Sequence, residues 1–496
     1  MQAMETAQQS RLYYFNNWIS LIGLIIALGS AFSFVFLFVI DLFVGNGNAY
    51  LGILTYIASP AFCILGSGIM LIGWVFYRHQ VEHCKTDRAD LTFSLNLSNS
   101  ADRRKLLLFS GGTFGFLMLS AIGSYKTYHV TESVEFCGLV CHDVMEPEYT
   151  TYQIGAHARV ACVKCHIGSG AGWYVKSKLS GLYQVYSVAF NKYNRPIETP
   201  VHNLRPARDT CETCHWPEKF TGNLDRVYAS YMADEANTPY TVRMSLNVGG
   251  ADPRRGPAEG IHWHMSAEHT VEFIAEDEQL QVIPWVRVTD KDGQTTEYVT
   301  DGFNGNPADY TIHQMDCMDC HNRPAHAYTA PGRAVDQALH LGKLSTDLPG
   351  IKRLAVELLI GEYSDKAAAF SAIATGLTEA YAGRPQLAET IAELQNIYAL
   401  NFFPAMQADW SAYPDNIGHK NWAGCFRCHD DMHTSPTTNQ TIEMSNCNSC
   451  HSIIAQGATA EALSTLHPDG IPFEHPDGDD VSGFLCSDCH DGTLTE

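Results

Sequence analysis

The sequence predicts a mainly α protein with little regular structure: three N-terminal transmembrane helices, then a soluble part with a small β-hairpin insertion. Three observations predict it. Three long apolar stretches without a charge lie in the first quarter of the 496 residues. The remainder reads as soluble. Fourteen of the sixteen cysteines fall into seven pairs, each closed by a histidine. Groups bound at motifs so densely spaced would supply much of the core, leaving the chain around them little need of its own helices and sheets.

The apolar stretches are Ile19 to Ile40, Ala49 to Tyr77 and Leu106 to Tyr125, of 22, 29 and 20 residues. Each is long enough to cross about 30 Å of hydrocarbon, and none shows the polar face of an amphipathic core helix. The first is too long for a signal-peptide core and no small-residue cleavage site follows it, so it is expected to remain as an anchor. Arg78, Lys85, Arg88, Arg103, Arg104 and Lys105 crowd the second connection, whereas Leu42 to Asn48 carries no Lys or Arg. The positive-inside rule makes the basic loop cytoplasmic. The N-terminus is then cytoplasmic as well, and everything after Tyr125 lies outside, in the periplasm of a bacterial inner membrane.

Six of the cysteine pairs are C-x-x-C-H: Cys162/Cys165/His166, Cys211/Cys214/His215, Cys317/Cys320/His321, Cys425/Cys428/His429, Cys447/Cys450/His451 and Cys486/Cys489/His490. The seventh, Cys137/Cys141/His142, has three residues between its cysteines. At this composition chance supplies on the order of 0.02 such pentapeptides, so six are not accidental. Two thiols at this spacing reach the two vinyl groups of one porphyrin edge, and the next residue, His, turns onto the iron. Zinc ribbons need no following His, and a redox C-x-x-C would not recur seven times. The motifs therefore predict seven covalently bound c-type haems, attached on the periplasmic side. Cys63 lies in an apolar span and Cys84 in the cytoplasmic loop, and neither suggests a disulfide.

Six-coordinate haem iron needs a second axial ligand, and fifteen of the 22 histidines lie outside the motifs. His79 and His83, at the cytoplasmic end of the second span, are out of reach. His157 and His313 stand just ahead of the second and fourth motifs, His202 ahead of the third, and His419 and His433 on either side of the fifth. His467 and His475 separate the last two. Of the run Ile261-His262-Trp263-His264, one histidine is expected to ligate, and His264 is taken. His129, His269, His326 and His340 read as surface or packing residues. After the first motif comes Met145, whose thioether is either a ligand that raises the haem potential or ordinary packing.

Along the chain, residues 1–125 form the membrane domain and 126–230 a three-haem domain. Residues 231–333 hold a β-containing insertion with the fourth haem, 334–404 a helical segment, and 405–496 the closing three-haem domain. In the insertion, Gln279 to Val288 and Thr295 to Thr300 flank the turn Asp292-Gly293. In the helical segment, Ala334 to Leu344, Ile351 to Ile360, Ala367 to Tyr381 and Gln386 to Leu400 carry apolar residues at helical spacing. From Leu106 onward 25 Lys and Arg face 48 Asp and Glu, which excludes nucleic acid as a partner.

The spans, the Met after the first motif, the run Cys162-Val-Lys-Cys165-His166-Ile-Gly-Ser-Gly and the run Cys211-Glu-Thr-Cys214-His215-Trp-Pro resemble the NapC/NirT (NrfH-like) quinol dehydrogenases. The resemblance covers roughly Tyr125 to Thr221. That family typically has one anchor helix, four haems and a C-x-x-C-H-x-M first motif; here there are three spans, seven motifs and one residue inserted on each side of Cys141-His142. The overall layout is similar to the inner-membrane cytochromes of metal-reducing bacteria that feed extracellular electron transfer. The resemblance implies a quinol dehydrogenase drawing on menaquinol or ubiquinol from the membrane pool. Electrons would pass to periplasmic cytochromes or a terminal reductase, toward extracellular acceptors. Asp143, Glu146 and Glu148 are the expected proton acceptors, with Lys176 and Lys178 as quinone-oxygen partners. Two other readings stand beside it: a terminal reductase of a small nitrogen or oxyanion substrate, and a relay subunit of a larger respiratory complex.

Overall fold

The computed structural model describes residues 14–15, 17–44, 58–83, 97–140, 142–168, 171–200, 205–249, 259–481 and 483–494. Expectations that fall on Cys84, Lys85, Arg88, Cys141 and His202, and on the side chains of Lys105 and His142, lie outside what is described. The chain divides into two compact units, Met1–Ser133 with His166–Val185, and Val134–Cys165 with Tyr186–Glu496.

In the first unit, α1 (Trp18–Val44) and α2 (Ser59–His83) pack side by side. Small residues set how closely they approach. A Cβ on Gly66 would come within 2.5 Å of the Ala27 nitrogen, and one on Gly73 within 2.6 Å of the Ser20 nitrogen. Backbones that close gain van der Waals contact and polar links without any help from water. Ser20 Oγ donates to the Met70 carbonyl at 3.1 Å and Asn17 Nδ2 to the Gly73 carbonyl at 3.2 Å. The outward face is apolar, with Leu28, Phe32, Ile64 and Ile72 all more than half exposed. Among the described residues, α1 and α2 are the helices long and apolar enough to cross a membrane. The third expected span falls within a 32-residue helix, α3 (Ser100–Thr131). Helix α5 (Ala171–Ala189) runs on from this unit into the other.

The second unit begins with a wide π-helical turn, Phe136–Val140, followed by α4 (His142–Ile154). Its β structure exceeds the expected hairpin. Strands β4 (Trp285–Asp290) and β5 (Thr295–Val299) do pair antiparallel around Asp292-Gly293, but inside a four-stranded sheet ordered β5-β4-β3-β6. Here β3 is His269–Ile274 and β6 is Ile312–Gln314. The strand starts at Trp285, not Gln279: Asp277 Oδ1 accepts from the Gln281 and Val282 nitrogens and folds that stretch into a turn. A second sheet, β1 (Leu224–Tyr231), β2 (Pro239–Leu246) and β7 (His451–Gly457), was not expected. The sheets place two motifs: β6 leads directly into Cys317, and β7 begins at the motif residue His451.

The largest apolar core lies in a bundle of α6 (Pro331–His340), α7 (Ile351–Leu359), α8 (Lys366–Tyr381) and α9 (Leu387–Asn401), around Val335, Leu348, Ile351, Ile373, Leu377 and Leu394. The four helically periodic runs lie in these helices. Asp365 caps α8 by accepting from the Ala368 nitrogen at 2.9 Å. Inside the bundle Lys352 Nζ donates to Asp336 at 2.6 Å and to the Gly332 carbonyl at 2.5 Å. The β1–β2 turn is pinned to it by Asn237, whose Nδ2 donates to the Leu348 carbonyl at 2.8 Å and whose Oδ1 accepts from the Lys352 nitrogen at 3.0 Å.

Candidate haem array

Each motif is a local turn that aligns its cysteines. Cys162–His166, Cys317–Cys320 and Cys486–Cys489 are single α-helical turns, and Cys447–Ser449 is a 3-10 turn. Asp316 starts the fourth motif by capping it, accepting from the Met318 nitrogen at 2.7 Å. The backbone N–H of the motif histidine bonds back to the carbonyl of the first cysteine in four motifs: His215 at 2.8, His321 at 2.8, His429 at 3.1 and His490 at 2.8 Å. A helical turn brings residues three and four apart to one side, so both thiols and the imidazole serve one planar group. In the first motif the extra residue is taken up by the π turn, which fits one more residue into a turn. There Gly138 lies under the ring of Tyr149, where a Cβ would meet its Cε2 at 2.5 Å.

The polypeptide does not enclose every cysteine that the sequence reads as haem-binding. Cys489 is exposed, whereas Cys486, one turn earlier, is half-buried. Cys165, Cys214, Cys425 and Cys447 are exposed in the same way.

Successive motifs among the first six lie close together. The Cys162 thiol hydrogen-bonds with that of Cys137, and Cys211 with Cys317. Cys165 lies within electrostatic range of Cys214, Cys320 of Cys425, and Cys425 of Cys450. At the C-terminal end, Lys420 interacts with Cys486 and His490 of the last motif. The described cysteines carry thiols that are not bridged to one another, and burial pushes Cys320 and Cys428 up to about 12. Among the described residues no cluster of three or more His, Cys, Asp and Glu could hold a metal ion, as a zinc ribbon would require.

Five motif histidines each face another imidazole. Ring centroids are 6.1 Å apart for His157 and His215, 6.4 Å for His262 and His321, and 6.0 Å for His264 and His429. They are 6.1 Å apart for both His419/His451 and His475/His490. Two imidazoles bonded to opposite sides of one metal at about 2 Å put their centres about 6 Å apart. The donor set therefore fits haem iron at each of these sites.

Hydrogen bonds behind these rings orient them. Nδ1 of His157, His262 and His264 bonds the carbonyls of Pro324, Val248 and Ile261 at 2.9, 3.0 and 3.0 Å. Nδ1 of His475 bonds Asp477 at 2.5 Å. An Nδ1–H held in this way fixes the tautomer and leaves Nε2 as the ligating atom. Burial holds His262, His264, His321, His419, His429, His451 and His490 below the usual imidazole range, in the neutral form a metal binds.

The remaining expected ligands lie elsewhere. His433 is fully buried with both ring nitrogens engaged, Nδ1 by Asp430 at 2.9 Å and Nε2 by the Ile283 carbonyl at 2.8 Å. His313 stacks on Phe273 at 5.3 Å, and His467 is exposed. Both His262 and His264 face motif histidines, where the sequence reading kept one; the dense His-Trp-His run was the available clue. Met145, half-buried, sits one turn into α4.

On the same helix Asp143 is exposed and Glu146 accepts from Lys366 at 2.6 Å. Glu148 is different. It accepts from the Tyr328 hydroxyl at 3.1 Å, its Oε2 is buried without a hydrogen bond, and burial pushes its carboxyl above the usual range despite nearby Arg323. Arg323 itself lies over the rings of Tyr328 and Tyr413, at 5.0 and 4.2 Å. In the other unit, Lys176 lies over Trp173 at 4.9 Å and Lys178 is 3.8 Å from Glu132.

Tethering turns in series and imidazoles paired at metal-spanning distance define a membrane-anchored multihaem c-type cytochrome, and the chain belongs to the NapC/NirT cytochrome c family. The profile of that family's N-terminal region matches residues 100–204. The chain is 40% identical over 494 residues to the cytochrome c-type protein ImcH of Geobacter sulfurreducens (strain ATCC 51573 / DSM 12127 / PCA), covering 96% of this chain and 95% of that protein. No solved structure matches the chain. Covalently bound haem and a role in electron transfer follow from the family.

Proposed function

We propose that the protein is a quinol:cytochrome c oxidoreductase of a bacterial inner membrane, moving electrons from membrane quinol through seven c-type haems to periplasmic acceptors. The observation that carries this reading is the proximity of successive motifs, which strings the first six attachment sites into a line in chain order. Such a line is a conductor, because haems tethered at neighbouring motifs lie close to one another. Bound haem supplies the one-electron carriers; the chain supplies order, ligands and proton acceptors.

In this reading Leu106 to Tyr125, within α3, is the third crossing, and the first motif follows it by about a dozen residues. Residues 126–230, 231–333 and 405–496 hold three, one and three haems, separated by the haem-free bundle of 334–404. Iron would be held by His215 with His157, His321 with His262, His429 with His264, His451 with His419, and His490 with His475. His433 and His313 leave the ligand set, the first because both its nitrogens are spent. Met145 is kept as the thioether of the first site.

Oxidising a quinol releases two protons and two electrons, the electrons leaving singly to ferric haem. Glu148 is the proton acceptor we favour over Asp143 and Glu146: it is buried, and burial raises its affinity for a proton above that of an ordinary carboxylate. Menaquinol added to the purified protein in liposomes tests this. Reduction of all the haems is expected. Haems that respond to dithionite but not to menaquinol would make the protein a relay subunit.

A further inference from the structure

Successive motifs lie close from the first to the sixth, and the last is joined to them by a residue outside every motif. We infer that Lys420 raises the potential of the haem tethered to Cys486 and Cys489, so that an electron on the sixth haem passes on to the seventh. The inference rests on the proposed haem array.

The charge of the chain leaves that haem in an acidic setting. From Cys428 to Glu496 the sequence carries twelve Asp and Glu and no Lys or Arg. Both closing motifs end in that stretch, and haem propionates add further negative charge. Around the last motif, Asp488 accepts from the Leu485 nitrogen at 2.9 Å, Asp477 holds His475, and Asp491 follows the motif histidine. Reduction adds one electron to ferric haem and exchanges no atoms, so nearby carboxylates oppose it and a nearby cation favours it. Arg427, the last basic residue of the chain, is spent: its Nη1 donates to the Leu280 carbonyl at 2.7 Å and its Nη2 to the Asp319 carbonyl at 2.6 Å.

Lys420 supplies the cation, and the fold brings it to the last motif from two sides. Its neighbour His419 faces His451 at 6.1 Å, the pair assigned to the sixth iron. His419 also stacks on Phe426 at 4.2 Å, and the Cys425 nitrogen bonds the Gly418 carbonyl at 3.0 Å, so this turn is fixed. On the other side, the chain after His490 is tied to the segment that leads to Lys420. Trp410 Nε1 donates to the Asp491 carbonyl at 2.9 Å, and the Gly332 nitrogen to the Gly492 carbonyl at 2.9 Å. Lys420 then interacts with both Cys486 and His490. Its backbone is attached to a ligand of the sixth haem while its ammonium serves the seventh.

Lys420 also interacts with the buried pair of Asp336 and Lys352. A purely structural role there would move the melting temperature and leave the potential alone.

The test is a spectroelectrochemical titration of the purified protein, driven by an electrode and so independent of quinol. It compares wild type with Lys420→Gln, Lys420→Arg and Lys343→Gln, the last a bundle lysine that pairs with Glu393 at 3.2 Å. In Lys420→Gln one haem's share of the absorbance change is expected to move to lower potential. Lys420→Arg and Lys343→Gln are expected to keep the wild-type curve. His475→Met marks the last iron with a sulfur-to-iron charge-transfer band, and the marked haem is expected to be the one that shifts. An unshifted curve in Lys420→Gln, with or without a lower melting temperature, overturns the inference. So does an equal shift in Lys343→Gln or a shift confined to unmarked haems. If Lys420→Gln loses a haem, Lys420→Met decides by the same curve; if the marked protein does, the unmarked curves decide. Wild type carrying fewer than seven haems would instead overturn the array, and haems filled by the electrode but not by menaquinol would overturn the quinol reading, so the failures are distinguishable.

Discussion

The imidazoles of His262 and His321 lie nearly parallel, 8° between ring planes with centroids 6.4 Å apart, although His262 comes from a turn far upstream of the motif. That turn is locked: the His262 nitrogen and Nδ1 both bond the Val248 carbonyl, at 3.1 and 3.0 Å. His262→Gly should therefore convert one low-spin haem to high-spin. His433→Ala should leave every haem low-spin yet cost about 2–3 kcal/mol, because it strands the buried partners of two hydrogen bonds. Magnetic circular dichroism and thermal melting of the two variants separate a ligand from a packing residue.

Ring orientation predicts the resonance spectrum. Planes meet at 74° for His157/His215 and 80° for His264/His429, but at 8° and 27° for His262/His321 and His419/His451. Near-perpendicular imidazoles leave ferric iron with a strongly anisotropic low-spin signal, and near-parallel ones with a rhombic signal. Both classes are expected in the oxidised protein. His157→Gly should diminish the first class alone and His419→Gly the second.

The tethering chemistry was legible from sequence because it is local: two thiols and an imidazole within five or six residues declare their own purpose. How far protein covers those thiols was not legible, since exposure such as that of Cys489 is decided by tertiary packing and not by the motif. The paired imidazoles were legible only where the partner stands close by or in a conspicuous run, as with His157 and His264. His433 misled: its place beside the fifth motif looks like a ligand's, yet Asp430 and the Ile283 carbonyl consume it. The bundle helices showed in their apolar spacing. Strand β7 did not, because its first residue is a motif histidine and its partner β2 lies far back in the chain.

The bundle carries a buried ion pair, Lys352 with Asp336. Lys352→Met strands the carboxylate and should cost about 3–5 kcal/mol, whereas Lys352→Met with Asp336→Leu should recover most of it. Thermal melting of both variants, with haem content unchanged, is the check.

Gly138→Val would push a side chain into the Tyr149 ring inside the π turn. Haem attachment at the first motif should fail, leaving one haem fewer by mass. Menaquinol-driven reduction should disappear while dithionite still reduces the remaining haems.

Burial raises the Glu148 carboxyl above its ordinary 4.5, so the folded chain binds this proton more tightly than the unfolded chain. The stability this contributes is present below the unfolded value and is lost as pH rises through the folded one. Glu148→Gln should therefore match wild type in melting temperature below the ordinary 4.5 and gain on it as the pH rises above that value. A constant difference across that range would contradict the assignment.

The intact mass of the protein purified from a host that matures c-type cytochromes tests the array most directly. Polypeptide plus seven haems is the predicted mass. Polypeptide alone, or a stable product short of one or more haems, would contradict it.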